Sequence, residues 1–315
     1  MEMEKGPYIS VIVPFFNEEH TIGELHRRLV SVLGGLGKPY EIIFIDDSSS
    51  DQTFERMRGL RPLRAFSLTH NAGQTKAFGL GFAKSRGEII VTLDGDLENF
   101  PEDIPKLVVK IEAGADVVAG WRKHRWQGQY LTRRLPSLLA NRLISWVSGY
   151  RIHDHGCFLR AYRRKFLEGF DFQGAAQRMV VSYAALQGAR ITEIEVGYAP
   201  RKYGVSKFGL MRTFEVLIDL LMLQFLHRFD SRPRHFFGAF GLVSLFFSGV
   251  AFLLMVYLKV FKAVPFIITP LPLVVTLFFV VGLQLMLMGI LAEIIVQKRN
   301  KEMPFVFEVK DTIEA

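Results

Sequence analysis

Cys157 is the single cysteine among 315 residues, which excludes an intrachain disulfide. No G-x-G-x-x-G opens the first helical segment and no G-x-x-x-x-G-K-[ST] occurs, so dinucleotide-binding and P-loop readings lose their main support. Met1 to Pro7 is polar and the next apolar run is strand-like, so no signal peptide is expected there. Internal repeats and low-complexity segments are also absent. Charge is nearly missing from two stretches: Phe236 to Phe261 holds only Lys259, and Pro270 to Val296 holds only Glu293. Each exceeds the roughly 20 apolar residues that span a bilayer. Two transmembrane helices are expected, at 236–261 and 270–296, because core helices of that length normally show a polar face.

Half of the residues are hydrophobic and the net charge is +8. The basic residues gather around the apolar runs and in the second half of the preceding region, where anionic lipid or phosphate is a simpler partner than nucleic acid. Arg212, Arg228, Arg232 and Arg234 precede the first run and Lys298, Arg299 and Lys301 follow the second, against Lys259 and Lys262 between them. That bias predicts a multi-pass protein of the inner (cytoplasmic) membrane with both termini and the N-terminal domain in the cytoplasm, though the two lysines weaken it.

Residues 8 to 120 alternate strand-like and helix-like segments. Tyr8–Val13, Glu41–Ile45, Leu63–Leu68, Glu88–Leu93 and Asp116–Ala119 are short β-rich runs, and between the first two Ile22, Leu25, Leu29 and Val32 recur at helical spacing. The rhythm predicts an α/β fold with a mostly parallel sheet covered by helices. Ligands bind such sheets at the carboxyl ends of strands, where Asn17-Glu18, Asp46-Asp47 and Asp94-Gly-Asp96 fall. Gly79 and Gly81 sit inside a predicted helix, Gln74 to Ser85, as packing positions. Phe214 to Leu226 is apolar but too short to cross, and is expected to lie on the membrane surface. The predicted organisation is a catalytic domain over 1–210, an interfacial segment over 211–235, the two spans within 236–297, and a tail over 298–315. After Pro304 that tail alternates like an exposed strand, a candidate for pairing with another subunit.

The densest chemistry is Asp94-Gly-Asp96-Leu-Glu98 at the end of an apolar strand. In extended geometry these three carboxylates project from one face, suited to a hard divalent cation, Mg²⁺ or Mn²⁺, that keeps positions open for substrate phosphates. Alone, a D-x-D pattern is more often a solvated acidic turn; its neighbours reverse that judgement.

Those neighbours are Val11-Ile-Val-Pro14-Phe-Phe16-Asn17-Glu18, Phe44-Ile-Asp46-Asp47-Ser48-Ser-Ser-Asp51, Asn71-Ala-Gly73-Gln, Asp94-Gly-Asp96-Leu-Glu98-Asn-Phe-Pro101-Glu102, Arg133-Arg134-x-x-Ser137, Asp154-His-Gly156-Cys157-Phe-Leu-Arg160-Ala-Tyr162-Arg163-Arg164 and Arg201-x-x-Gly204-x-Ser206-Lys207. With them the chain resembles the membrane-bound family 2 glycosyltransferases that load a sugar onto a polyprenyl phosphate, over about residues 8 to 300. The bacterial undecaprenyl-phosphate glucosyl and formamido-arabinosyl transferases are the nearest kinds, more so than the four-span mannosyl enzymes. The resemblance implies a GT-A nucleotide-sugar-binding domain. It assigns Pro14, Phe16, Glu18 and Asp47 to the nucleoside, Asp94, Asp96 and Glu98 to the metal and through it the donor diphosphate, and Arg122 to phosphate. Asp96, Arg133 and Ser137 are the implied catalytic residues, and Arg133, Arg134, Ser137, Arg178, Arg201 and Lys207 the implied acceptor-phosphate contacts. The chain departs from the family pattern at Phe16 (usually tyrosine), Ser48 (glycine), Gly95 (alanine), Glu98 (glutamine) and Phe100 (proline).

The implied reaction is inverting transfer of one sugar from a nucleotide-diphosphate sugar, UDP-linked by preference, to a polyprenyl phosphate such as undecaprenyl phosphate. A lipid phosphate is already largely anionic near neutral pH and needs arginine more than a strong base. The alternatives are a GDP-mannose-using polyprenyl-phosphate mannose synthase, a processive polysaccharide synthase and a non-catalytic membrane adaptor. The synthase reading lacks its Q-x-x-R-W motif and enough spans for a channel; intact Asp47, Asp94, Asp96, Arg133 and Lys207 argue against the adaptor. His153-Asp154-His155 lacks the further ligands of a zinc site, and Asp154 is expected to orient an arginine or the acceptor phosphate. Arg160, Arg163 and Arg164 are read as facing solvent or lipid headgroups.

Overall fold

The computed structural model describes residues 6–123, 150–170, 172, 180–200, 233–299 and 308–314. Among these, eight strands form one sheet: β1 (Ile9–Phe15), β2 (Tyr40–Asp46), β3 (Arg64–Leu68), β4 (Ile89–Thr92), β5 (Val117–Trp121), β6 (Arg160–Arg163), β7 (Ile191–Glu195) and β8 (Val309–Glu314). Their spatial order is β7-β5-β6-β4-β1-β2-β3-β8. β4, β1, β2 and β3 run parallel. The chain steps outward from β1 to β2 and β3, then returns to place β4 on the other side of β1. That reversal opens a crevice at the carboxyl ends of β1 and β4.

Every residue of β1 is buried, as a strand covered on both faces requires. Alternate side chains serve the two faces. Val11, Val13, Phe15, Ile42 and Phe44 join a core with Ile22, Leu25 and Leu29 of α1 (Ile22–Gly34) and Leu107 and Ile111 of α4 (Ile104–Glu112). On the opposite face Ile43, Ile45 and Phe66 meet Ala77 and Leu80 of α3 (Gln74–Lys84). A Cβ on Gly81 would stand 2.3 Å from Ile12 Cγ2, so the packing role expected of that glycine is what lets α3 lie close on β1.

Two sequence expectations need correction. Arg160, Arg163 and Arg164 do not form a solvated or lipid-facing basic run: Arg160 is 1% exposed. Arg160 donates to the carbonyl of His155 at 2.7 Å, Arg163 to that of Ile111 at 2.7 Å, and Arg164 to that of Gly87 at 2.7 Å. They cap carbonyls of neighbouring loops and of the last turn of α4 around β6, which pairs antiparallel with both β4 and β5. The tail, expected as an exposed strand seeking another subunit, instead pairs antiparallel with β3 of its own chain. Its strand is Val309–Glu314, with residues 305–307 of the alternating stretch outside the described residues, and Ile313 is buried in the α1-side core.

Contacts divide the chain into two compact units, Met1–Leu221 with Val306–Ala315, and Met222–Phe305. β8 thus belongs to the first unit. Within the second, helices Pro233–Lys262 and Leu271–Arg299 pack as a hairpin. Gly241 and Gly282 allow close approach, a Cβ on Gly241 meeting the Gly282 carbonyl at 2.9 Å. Ser244 and Ser248 donate across to the carbonyls of Phe278 and Val275 at 2.7 and 2.9 Å. Small residues and cross-helix hydroxyl bonds are the devices that join helices in lipid. The most apolar windows of the two helices are only 22% and 11% buried, the reverse of soluble core helices, and both are candidate membrane spans.

Candidate active site

Three turns converge at the crevice. After β1, Asn17 takes φ 55°, a left-handed conformation that asparagine tolerates. Its N–H donates to Ser49 Oγ at 2.9 Å and its Oδ1 accepts the Ser50 N–H at 2.8 Å, which locks the β1 and β2 turns together. Asp51 binds both turns too, accepting N–H groups from Glu19 (3.3 Å) and Thr53 (2.9 Å), while Glu18 N–H donates to Thr53 Oγ1 at 3.0 Å. Pro14 is buried at the end of β1; Phe16 and Glu18 are half-buried at the turn.

After β2, Asp46 and Asp47 divide the work. Asp46 accepts the Ser67 hydroxyl at 2.7 Å and the Ser49 N–H at 3.2 Å. Asp47 accepts the N–H groups of Ala72 and Gly73 at 2.8 and 3.0 Å, so its carboxylate ties down the loop that leads into α3. Burial pushes the Asp47 carboxyl above its ordinary value; those two N–H groups pull the other way without cancelling it. Gly73, at φ 87°, makes the turn into α3 that brings Gln74 over β4.

After β4 comes the acidic turn. Asp94, Asp96 and Glu98 are half-buried between buried Leu93, Gly95, Leu97 and Asn99. Gly95 is required by close approach: a Cβ there would lie 2.6 Å from the Phe15 ring and 3.0 Å from the Pro14 carbonyl. That contact accounts for glycine in place of the family's alanine. Thr21 fastens the turn by donating its hydroxyl to the Gly95 carbonyl at 2.7 Å. The Asp94 carboxyl is enclosed although the residue is not, and burial with the neighbouring charges of Asp96 and Glu98 pushes it up to about 8; Arg122 and the Gln74 amide, which donates to Asp94, act in the opposite sense.

The extended, one-faced display of three carboxylates does not form. Leu97 adopts φ 62° and turns the chain between Asp96 and Glu98. Asp96 Oδ1 accepts the Glu98 N–H at 3.1 Å, and the Glu98 carboxylate lies 3.9 Å from Arg122 Nη1. Among the described residues no three His, Cys, Asp or Glu side chains stand close enough to hold an ion. The donor set that fits a divalent cation is therefore the crowded pair Asp94 and Asp96, whose mutual repulsion a cation would relieve. Mg²⁺ and Mn²⁺ are commonly held by one or two carboxylates with substrate phosphates completing the shell.

Arg122, at the end of β5, is buried and grips Asp154 with two bonds, Nε to Oδ2 at 2.8 Å and Nη2 to Oδ1 at 3.1 Å. Burial lowers its pKa, but Asp154 and other nearby anions outweigh that and raise it, so it is a permanent cation. Cys157 beneath it is pushed up to about 12 by burial and stays a thiol. His153 Nδ1 lies 2.8 Å from Glu193 Oε2 with its ring stacked on Trp121, and His155 is buried.

Of the residues expected from sequence, Pro14, Phe16, Glu18, Asp47, Asp94, Asp96, Glu98 and Arg122 lie on the strand-end turns around this crevice. Arg133, Arg134, Ser137, Arg178, Arg201, Lys207 and the segment 211–232 lie outside the described residues. Thr21 and Gln74 were given no role by the sequence. Both act on the β4 turn from the helical segments after β1 and β3, an adjacency that only the placement of β4 beside β1 creates.

Residues 10–170 match the model of the glycosyl transferase family 2 domain. The chain is 37% identical over 302 residues to a dodecaprenyl-phosphate galacturonate synthase of Rhizobium johnstonii, covering 91% of this chain and 87% of that protein. It is 34% identical over 294 residues to an undecaprenyl-phosphate 4-deoxy-4-formamido-L-arabinose transferase of Edwardsiella ictaluri, covering 91% and 88%. Among solved structures it is similar to glucosyl-3-phosphoglycerate synthase from Mycobacterium tuberculosis in complex with Mn²⁺, UDP and phosphoglyceric acid, with TM-score 0.54 at 20% identity over 70% of this chain and 78% of that one, a likeness of fold. Strand order, acidic turn and these matches together place the chain in glycosyl transferase family 2.

Proposed function

We propose that the protein transfers one sugar from a nucleotide-diphosphate sugar, UDP-linked by preference, to a polyprenyl phosphate at a membrane. The observation that carries this reading is the extent of the likeness to two polyprenyl-phosphate sugar transferases: it takes in 91% of the chain, well beyond the family domain at residues 10–170. A relative that shared only the sugar-nucleotide fold would stop short of the two apolar helices.

In this reading Pro14, Phe16, Glu18 and Asp47 border the nucleoside, with Asp47 acting in part through the Ala72–Gly73 backbone that it holds. Asp94 and Asp96 hold Mg²⁺ or Mn²⁺, which when bound supplies Lewis-acid neutralisation of the donor diphosphate. Arg122 turns Nη1 toward the acidic turn and contributes fixed positive charge there. Arg133, Arg134, Ser137, Arg178, Arg201 and Lys207 receive the lipid phosphate. One oxygen of that phosphate forms a bond to the anomeric carbon as the bond to the diphosphate oxygen breaks, and the nucleoside diphosphate leaves with the electron pair. The nucleophile is already an anion, so positioning and charge stabilisation carry the rate.

The test is a donor screen with purified full-length protein, undecaprenyl phosphate, Mn²⁺ or Mg²⁺, and UDP- and GDP-sugars, run beside Asp96→Asn. Lipid-linked sugar from one donor, reduced at least about a hundredfold in the variant as expected for loss of a charge-stabilising group, is the expected result. Nucleotide release with a growing water-soluble polymer, or no transfer from any donor, overturns it.

A further inference from the structure

We propose that Asp154 is a positioning residue for diphosphate recognition, acting through Arg122. This inference rests on the donor-site reading above and adds to it a residue in the 153–157 segment.

The geometry is that of a committed pair. An arginine has five N–H donors in a rigid planar fork. Asp154 takes two of them, on Nε and Nη2, in the side-by-side arrangement that fixes the plane of the guanidinium as well as its position. The arginine side chain is 1% exposed and the aspartate 13%. The pairing leaves the second N–H of Nη2 and both of Nη1, and Nη1 faces the acidic turn: Glu98 Oε2 lies 3.9 Å away, within ion-pair reach but beyond a hydrogen bond. The Tyr198 ring lies 6.0 Å from the guanidinium carbon, on the ring's face. Arg122 is thus held from behind and presents one edge.

Asp154 is itself held. Its Oδ1 also accepts the Gly156 N–H at 2.9 Å, a tight local turn that sets the carboxylate direction. The preceding residue is anchored independently, His153 N–H donating to Glu193 Oε1 at 2.7 Å. The carboxylate is therefore a fixed point on the approach to β6, and the arginine's aim follows from it. Without it, a cation this close to Asp94 and Glu98 would be drawn fully into the acidic turn, and its edge would no longer meet an incoming diphosphate in a set orientation.

Calorimetry on the full-length protein in detergent with Mn²⁺ tests this, using UDP and GDP as diphosphate probes and uridine and guanosine as probes lacking phosphate. Asp154→Asn, Asp154→Glu, Arg122→Lys and the double variant Asp154→Asn/Arg122→Lys are compared. Asp154→Asn is expected to weaken the preferred diphosphate about tenfold, the loss typical of a charge-assisted bond, and to leave the nucleoside unchanged. The same substitution in the Arg122→Lys background is expected to add nothing, and Asp154→Glu to restore part of the affinity. Equal weakening of nucleoside and diphosphate, additive losses, or no loss overturns the positioning role. If Asp154→Asn fails to fold, Asp154→Glu keeps the charge while shifting its position, and affinity equal to wild type overturns the proposal. A wild-type protein that binds neither diphosphate overturns the donor-site reading and this inference with it; wild-type binding with an indifferent Asp154 overturns this inference alone.

Discussion

Ser48 stands where the family pattern has glycine, and the backbone there explains the preference: φ is 60°, the left-handed region in which a Cβ is costly. Ser48→Gly is expected to raise stability by about 1 kcal/mol, less the extra entropy glycine brings to the unfolded chain, measurable as a higher melting temperature. Glu41 provides the opposite lesson, a charge placed at depth. Burial pushes its carboxyl up, yet the Ser10 hydroxyl, the Arg86 N–H and the Arg64 guanidinium together outweigh burial and hold it below the ordinary value. A carboxyl with a depressed folded pKa stabilises the fold above its unfolded pKa and loses that contribution as pH falls through the folded one. Glu41→Gln is therefore expected to cost about 2–3 kcal/mol at pH 7. The gap should close as pH drops below about 4, which parallel thermal melts from pH 7 to 3.5 would read. Neither residue's role was legible beforehand. Asp47, Asp94 and Asp96 announced themselves as acids at strand ends, whereas the φ of Ser48 and the partners of Glu41 depend on contacts distant in sequence.

At the scale of elements, β1, β2 and β4 were legible because strands covered on both faces read as nearly continuous apolar runs, with Ser10 and Glu41 as interruptions. β6 was not: Arg-Ala-Tyr-Arg reads as a basic surface, since nothing local says that carbonyls of other loops wait for its arginines. The extended display of three carboxylates was not kept for a similar reason, one left-handed residue, Leu97, undoing the period-two alternation. β8 was half legible. Its alternation was seen, but its partner β3 lies far earlier in the chain, Glu314 pairing with Arg64 250 residues before it. What holds β8 follows from burial. Ile313 is 8% exposed within the core, while the Arg58–Asp311 ion pair is 50% and 41% exposed. Exposed pairs contribute little and buried aliphatics much. Ile313→Ala is expected to cost about 2–3 kcal/mol and to release the tail to limited proteolysis, whereas Asp311→Asn should leave the melting temperature unchanged. Protection of the tail in Ile313→Ala would show that the strand is held by its ladder alone.

For the whole molecule, β8 bears on membrane topology in a way that charge counting does not. The long apolar helices lie in sequence between β7 and β8, and β8 is hydrogen-bonded into the same sheet as β1 to β7. Strands of one sheet cannot lie on opposite sides of a bilayer. If the helices cross, they cross as a pair, and the residues before the first and after the second share a compartment. The lysines at 259 and 262, which blur the positive-inside argument, do not touch this one. With the sugar-nucleotide site on the cytosolic side, both flanks are expected in the cytoplasm and the 263–270 connection outside. The native thiol suits a labelling test, since Cys157 is buried and pushed up to about 12, and so is inert to maleimide in the folded protein. Ile267, 97% exposed in the connection, and exposed Lys310 on β8 are the positions to replace. With a membrane-impermeant maleimide on intact spheroplasts, Ile267→Cys is expected to label and Lys310→Cys to label only after permeabilisation. Labelling of Lys310→Cys alone from outside would place the catalytic sheet on the far side of the membrane, and labelling of both from outside, or of neither until permeabilisation, would mean that the helices do not cross.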